Sequence, residues 1–196
     1  MRLSVFLVLA FAATGTRAAT VELLSLPQLV ERSALVVVGR CIAAEPVVRQ
    51  DQPFTRYTFR VAQQLKGPAA EQVQLEIPGG SIDGYRVYVA GMPRFSPGAE
   101  AVVFLSPKDL HGYAWPVGLG QGHFRIERDA TGKGRVYQET DGLRLVQAAA
   151  RPVKDVLEAQ PVRGQDLESF LRQVRSLTGT PEGDGEADME AGGGYE

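Results

Sequence analysis

Short apolar runs, each followed by Pro, Gly or both, recur along the middle of this sequence. In Tyr57–Val61 and Val73–Ile77, apolar and polar residues alternate, as they do in a strand with one buried face. Ala34–Glu45 and Ala101–Leu105 are nearly continuous apolar runs rich in β-branched residues, which is typical of more deeply buried strands. This pattern constrains the chain to a mainly β fold with antiparallel strands.

Four shorter segments extend the same pattern. Tyr85–Val89 predicts a short strand or a lid, and Tyr113–Val117 predicts a further strand. Gly122–Arg128 and Arg135–Gln138 predict two more strands joined by a Gly-rich turn. Within the first long run, Gly39 predicts a bend or a bulge, because a glycine inside a strand weakens regular pairing.

Two segments have helical spacing instead. Leu23–Ser33 predicts a short helix with Ser25 as its N-cap. Asp166–Leu177 places its apolar residues on one face and is followed by Gly179, which predicts a C-terminal helix. The stretch Leu143–Gly164, punctuated by Ala and Pro, predicts a wrapping connection with some helix.

Together these segments predict a small antiparallel OB-like barrel with a short N-terminal helix and a C-terminal helix. Barrels solve the problem of unpaired strand edges, and several short strands suit a Greek-key barrel. A lipocalin-like barrel and a sandwich are the alternatives. A chain of 196 residues with 44% hydrophobic content can bury one core, and its single cysteine excludes an internal disulfide.

Residues 1–18 have the composition of a secretory signal peptide. Arg2 precedes the apolar stretch Leu3–Ala13, and the small residues Thr16 and Ala18 predict cleavage before Ala19. The apolar stretch is too short to span a bilayer, and no longer one follows. We therefore predict an exported protein, periplasmic or secreted, with no transmembrane segment after signal cleavage.

The chain ends in an acidic segment. Pro181–Glu196 holds six carboxylates, five glycines and no Lys or Arg, a composition that predicts disorder. It is either a solubilising extension or an acidic docking segment. Residues 19–180 then form a single domain with a helical C-terminal extension. The formal net charge of -2 gives no basic excess, which argues against a dedicated nucleic-acid binder.

A search for catalytic and metal-binding patterns finds none. The two histidines, His111 and His123, lack the spacing of a local metal pair. Gly118–Gly122 lacks the last glycine of a dinucleotide-binding loop, and the residues around Ser81 depart from a nucleophile elbow. Cys41 lies in an apolar run and is predicted to be a buried thiol. We predict no enzyme activity, no metal and no cofactor.

Aromatic residues beside Gly and Pro provide the candidate partner-binding surface. Tyr and Trp are enriched where proteins bind partners, because their large rings also carry a polar group. The alternative role is core filling. The predicted binding residues are Tyr85, Tyr88, Tyr113, Trp115 and His123.

A family resemblance rests on the order of five blocks, which are ALVVVGRCIAA from Ala34, Tyr57–Val61, Leu65–Pro68, Val73–Ile77 and Ala101–Leu105. This order resembles the netrin-like module of the tissue inhibitors of metalloproteinases, over roughly Ala19 to Arg128. The resemblance implies an OB-type barrel. In those inhibitors, a disulfide-locked N-terminal cysteine offers its amino and carbonyl groups to the protease zinc. This chain has neither that cysteine nor the disulfides, so the resemblance supports the barrel better than the mechanism.

The chain is also similar to a set of exported bacterial proteins of uncharacterised function. The shared features are the Pro-Gly-Gly turn at Pro78, the block Phe95–Glu100 and the block Gly120–Phe124. The sequence thus predicts an exported, non-enzymatic protein-binding domain, with a secreted protease among its candidate partners. The alternative is a small-ligand-binding or envelope-associated barrel protein, and an enzyme of unrecognised type is the third class.

Overall fold

The computed structural model describes residues 18–82, 84–110, 112–146 and 160–179. Four sequence predictions fall partly or wholly outside the described residues: the signal peptide apart from Ala18, the side chain of His111, the centre of the predicted wrapping connection at residues 147–159, and the acidic tail.

The described part of the chain is mainly β, as predicted. In chain order its elements are β1 Ala19–Glu22, α1 Leu26–Arg32, β2 Leu35–Arg49, β3 Gln52–Lys66, β4 Gln72–Pro78, β5 Gly80–Ile82, β6 Tyr85–Val87, β7 Glu100–Leu105, β8 His123–Arg128, β9 Gly134–Gln138, β10 Leu143–Val146, β11 Arg163–Asp166 and α2 Leu167–Thr178.

Seven of these strands form one antiparallel sheet. Its order from edge to edge is β11, β9, β8, β7, β2, β3 and β4. Within the described residues no pairing joins β11 to β4, so the sheet is established and the closure of an OB-like barrel stays a prediction. Two small sheets accompany it, the parallel pair β1–β10 and the hairpin β5–β6.

The long hairpin β2–β3 carries the sheet beyond the predicted strand ends. Its turn is Gln50–Asp51, both with positive φ (48° and 58°), a conformation that suits a tight hairpin turn. The predicted irregularity at Gly39 is confirmed, since the register with β3 shifts between Val38 and Gly39. A Cβ on Gly39 would lie 2.8 Å from the carbonyl oxygen of Arg60, so the two strands approach too closely for a larger residue.

Apolar residues fill both faces of the central strands, because successive side chains of a strand point to opposite faces. On β7, Val102 and Phe104 join a cluster that includes α1 and α2. Their neighbours Val103 and Leu105 join a second cluster with residues of β3, β4 and the loop residue Phe95. The sheet therefore buries apolar residues on both faces, and the two helices pack on one of them.

Both predicted helices are confirmed. Ser25 is the N-cap of α1, and its main-chain N–H donates to Oε1 of Gln28 at 2.9 Å. Asp166 caps α2 by accepting a hydrogen bond from the N–H of Ser169 at 3.0 Å. Helix α2 ends at Gly179, whose φ of 67° is the left-handed conformation that glycine adopts readily.

One local prediction is wrong, and a second is wrong at the two ends of its segment. Tyr113–Val117 is not a strand, because its only ladder contact among the described residues is a bridge between Leu105 and Pro116. The stretch Leu143–Gly164 begins with β10, which pairs with β1 in parallel register, Ala19 opposite Leu143. Strands β1 and β10 lie more than a hundred residues apart in the chain, so local periodicity does not predict their pairing. No helix within the described ranges is long and apolar enough to cross a membrane.

Candidate functional site

Tyr113 and Trp115 lie together at the end of the β2–β3 hairpin. Their ring centroids are 6.4 Å apart, with the ring planes at 72°. With Phe54 they line a cavity of about 310 Å³, named here the Trp115 cavity. Its other lining residues are Arg49, Gln50 and Asp109.

Asp109 bonds both residues of the aromatic pair. Its Oδ1 accepts the main-chain N–H of Tyr113 at 2.9 Å, and its Oδ2 accepts the indole N–H of Trp115 at 3.1 Å. This local hydrogen-bonded turn takes the place of the predicted strand. The aromatic pair is therefore held in position from within its own loop.

An ion cluster around the buried Glu76 lies beside the Trp115 cavity. Glu76 accepts hydrogen bonds from Nε and Nη2 of Arg49, both at 2.8 Å, and from Nε of Arg56 at 2.8 Å. Burial alone raises the pKa of Glu76, but the hydrogen bonds and charges of the two arginines outweigh burial, so its pKa lies below the ordinary 4.5. Arg49 therefore stabilises the fold at the cavity wall.

Tyr85 lies on the β5–β6 hairpin, and Tyr88 follows it directly. Strand β6 of this hairpin lies within the segment Tyr85–Val89, for which a short strand was one of the two predictions. Tyr85 is 80% exposed and Tyr88 is 55% exposed. Val87 between them is also exposed. The guanidinium carbon of Arg94 lies 4.5 Å from the centre of the Tyr88 ring, a cation–π contact. This hairpin is the most aromatic exposed surface among the described residues.

His123 is placed differently from the other predicted binding residues. It starts β8 opposite Val103 and is only 5% exposed. Its ring centroid lies 4.4 Å from that of Phe95, and its Nδ1 is buried with no hydrogen-bond partner in the described structure. Burial, and secondly the charge of Arg125, lower its pKa from 6.5 to about 3, so the imidazole is neutral at physiological pH.

His123 nevertheless reaches a cavity of about 250 Å³, named here the His123 cavity. Three loops supply the walls: the segment Tyr88–Arg94, the turn at Gly120 and the segment after β9. The lining residues are Tyr88, Gly91, Met92, Pro93, Arg94, Gly120, His123, Glu139 and Asp141.

The structure thus divides the five predicted binding residues among three places. Tyr113 and Trp115 share one cavity, Tyr88 and His123 share another, and Tyr85 stands on the exposed hairpin. Sequence reasoning missed the charged residues of both cavities. Arg94 and Asp141 belong to no sequence motif. They are identified as candidate site residues because they line the same cavity.

The described residues hold no group of three or more His, Cys, Asp or Glu side chains able to bind a metal ion. Cys41 is fully buried, as predicted, and burial raises the pKa of its thiol. The predicted tight turn at Gly118–Gly122 is confirmed as a 3-10 turn followed directly by a strand, which offers no helix N-terminus for a phosphate.

Comparisons with protein-family models, with curated proteins and with solved structures gave no match. The resemblance to the netrin-like module therefore stays a prediction, and the geometry of the sites carries the functional argument.

Proposed function

We propose that this chain is an exported, non-enzymatic protein-binding domain and that the β5–β6 hairpin is its binding surface. The observation that carries the proposal is the joint exposure of Tyr85, Val87 and Tyr88 within four residues. Apolar side chains exposed singly are ordinary, whereas a group of them on one short hairpin is typical of interaction sites.

The hairpin also has the chemistry of a protein contact. Tyr side chains bring large area at small cost in conformational entropy, and Arg is enriched in interfaces. Arg86 lies on the same hairpin, and Arg94 packs on Tyr88. Beneath the hairpin runs a groove of about 150 Å³ between Thr55, Gly79 and Met92, which suits an inserted side chain of the partner.

A secreted protease is the partner class that we place first, following the resemblance to the netrin-like inhibitors. The proposed mode is contact through the hairpin. Chelation of a protease zinc by an N-terminal cysteine is not part of this mode, because the predicted mature chain starts at Ala19.

The test is affinity capture from the secreted and envelope fractions of the source organism with three baits. These are the wild type, the double variant Tyr85→Ser/Val87→Ser, and the control Val48→Ser, which changes an exposed valine on another hairpin. We expect one partner captured by the wild type and the control and lost from the double variant. If that partner is a protease, purified protein should reduce its activity. Identical captures by all three baits would refute the hairpin as the surface.

We further propose that the sheet curls into an OB-like barrel. Its support is the pairing of β2 with β3, whose register shifts at three places, because such bulges bend and twist a strand. Hydrogen exchange tests this. A closed barrel protects every β4 amide in the strand interior, whereas an open edge protects only the alternate amides that bond to β3.

A second candidate function is small-ligand binding, the alternative that the sequence left open. The specific observation in its favour is the His123 cavity, which brings a buried, unpartnered imidazole nitrogen close to charged residues.

A further inference from the structure

The His123 cavity carries two opposite charges that do not neutralise each other. Arg94 and Asp141 both line it, and both side chains are exposed at its mouth. Within the described residues neither makes an ion pair, with the other or with a third residue. The contact that Arg94 makes is with the face of Tyr88, which positions the guanidinium without neutralising it.

The remaining acid of the cavity, Glu139, already has a cationic partner, which it shares with Glu127. Oε1 of Glu139 accepts a hydrogen bond from Nε of Arg125 at 3.0 Å. Within the described residues, the charges of the cavity that have no ion-pair partner are therefore one cation, Arg94, and one anion, Asp141.

The inner part of the cavity is polar but uncharged. His123 is neutral, so it presents one N–H donor and one acceptor nitrogen, and its Nδ1 has no hydrogen-bond partner among the described residues. A buried polar atom without a partner costs free energy, and a ligand that brings a polar group to this end of the cavity recovers part of that cost.

Size and charge together select the ligand class. The volume of about 250 Å³ is below the range of roughly 300–1,000 Å³ typical of drug-sized ligands, so the occupant is small. A ligand with a single charge would leave the opposite charge of the cavity unpaired. A small molecule that carries one carboxylate and one ammonium pairs both.

We propose that the His123 cavity binds a small zwitterion of the α-amino-acid type, with its carboxylate at Arg94, its ammonium at Asp141 and its side chain toward His123. This inference deepens the second candidate function and does not depend on the hairpin as a protein-binding surface.

The experiment titrates the purified protein with the common L-amino acids by calorimetry. For each amino acid that binds, the N-acetyl derivative lacks the ammonium and the amide derivative lacks the carboxylate. We expect at least one amino acid to bind and both derivatives to bind about tenfold or more weakly, because each loses a charge-assisted contact.

Four variants complete the test. Arg94→Gln and Asp141→Asn should each weaken binding about tenfold or more. The controls Arg86→Gln and Glu71→Gln change exposed charges that do not line the cavity and should bind as the wild type does. In Asp141→Asn the amino acid and its N-acetyl derivative should bind alike, since the ammonium has lost its partner.

Absence of binding by every amino acid, or equal affinity in the wild type, Arg94→Gln and Asp141→Asn, would overturn the proposal. The double variant Tyr85→Ser/Val87→Ser should retain amino-acid binding. This result separates failure of the ligand site from failure of the hairpin as a protein-binding surface.

Discussion

The side-chain amide of Gln121 bonds the main chain of Leu24, 97 residues earlier, where Oε1 accepts the Leu24 N–H at 2.8 Å. The amide nitrogen donates to the carbonyl oxygen of Glu22 at 2.9 Å. Gln121 is fully buried. One glutamine thus joins the turn before β8 to the junction between β1 and α1.

Replacing this amide should destabilise the fold. In Gln121→Leu the buried Leu24 N–H loses its hydrogen bond, which costs about 1–3 kcal/mol, and the Glu22 carbonyl loses the amide nitrogen as a donor. We expect a loss of about 2–4 kcal/mol in the free energy of unfolding, measured by urea denaturation. Gln72→Leu, at an exposed position, is the control and should change stability by less than about 0.5 kcal/mol. Equal losses in the two variants would contradict this role.

The glycine after Gln121 is required for a steric reason. A Cβ on Gly122 would lie 2.6 Å from the carbonyl oxygen and 2.7 Å from the nitrogen of Val117, and main-chain atoms cannot yield as a flexible side chain can. Gly122→Ala should cost about 2–3 kcal/mol. Gly132→Ala, where φ is 83° but nothing lies within 4 Å, should cost only about 1 kcal/mol. Thermal unfolding of both variants measures the two losses of stability. A loss in Gly122→Ala no larger than that in Gly132→Ala would show that the turn can relax.

Because of Glu76, the free energy of unfolding should decrease at acid pH. Its pKa is lowered in the folded state, so its contribution is present above the unfolded pKa near 4.5 and is lost as pH falls through the folded value. Glu76→Gln should lower stability at pH 7 by about 1–3 kcal/mol, because Arg49 and Arg56 lose their shared partner. It should also flatten the acid limb of the stability curve. Glu127→Gln, whose partner Arg125 lies at the surface, is the control, with less than about 1 kcal/mol expected.

His123 should produce a second pH dependence, at higher pH. Its pKa falls from 6.5 to about 3 on folding, so between these values the unfolded chain binds more protons and acid favours unfolding. The slope can reach about 1.4 kcal/mol per pH unit. In His123→Phe, which retains a ring against Phe95, this slope should disappear from denaturant unfolding measured between pH 4 and 6.5. An unchanged slope in that variant would show that His123 is protonated in the folded protein.

Local patterns were enough to predict most strands of the main sheet. The strands predicted over Val73–Ile77 and Ala101–Leu105 are observed almost unchanged as β4 and β7. Alternating or continuous apolar residues are patterns of neighbouring positions, so they can be recognised in the sequence. The strand predicted at Tyr113–Val117 failed for a local reason too. Asp109 accepts the main-chain N–H of Tyr113 with Oδ1 and the indole N–H of Trp115 with Oδ2, and Ser106 Oγ accepts the main-chain N–H of Trp115, so side chains of the same loop hold this segment in a turn.

The candidate sites were harder to predict. Trp115 was identified from its type and neighbours, but its cavity partner Phe54 comes from a hairpin 61 residues earlier in the chain. His123 was expected at a binding surface and is instead buried at the start of β8, where it reaches only a cavity. Residue type indicates what a side chain can do, whereas its burial depends on which other segments pack over it.

Patterns among neighbouring residues were enough to predict the mainly β class, the two helices with their caps and the buried state of Cys41, since each depends on residues within a few positions of one another. The pairing of β1 with β10, and the cavity that Arg94, Asp141 and His123 line together, became visible only in the folded chain. These arrangements join segments far apart in the chain, and their geometry follows from the register and packing of the whole sheet rather than from any local pattern.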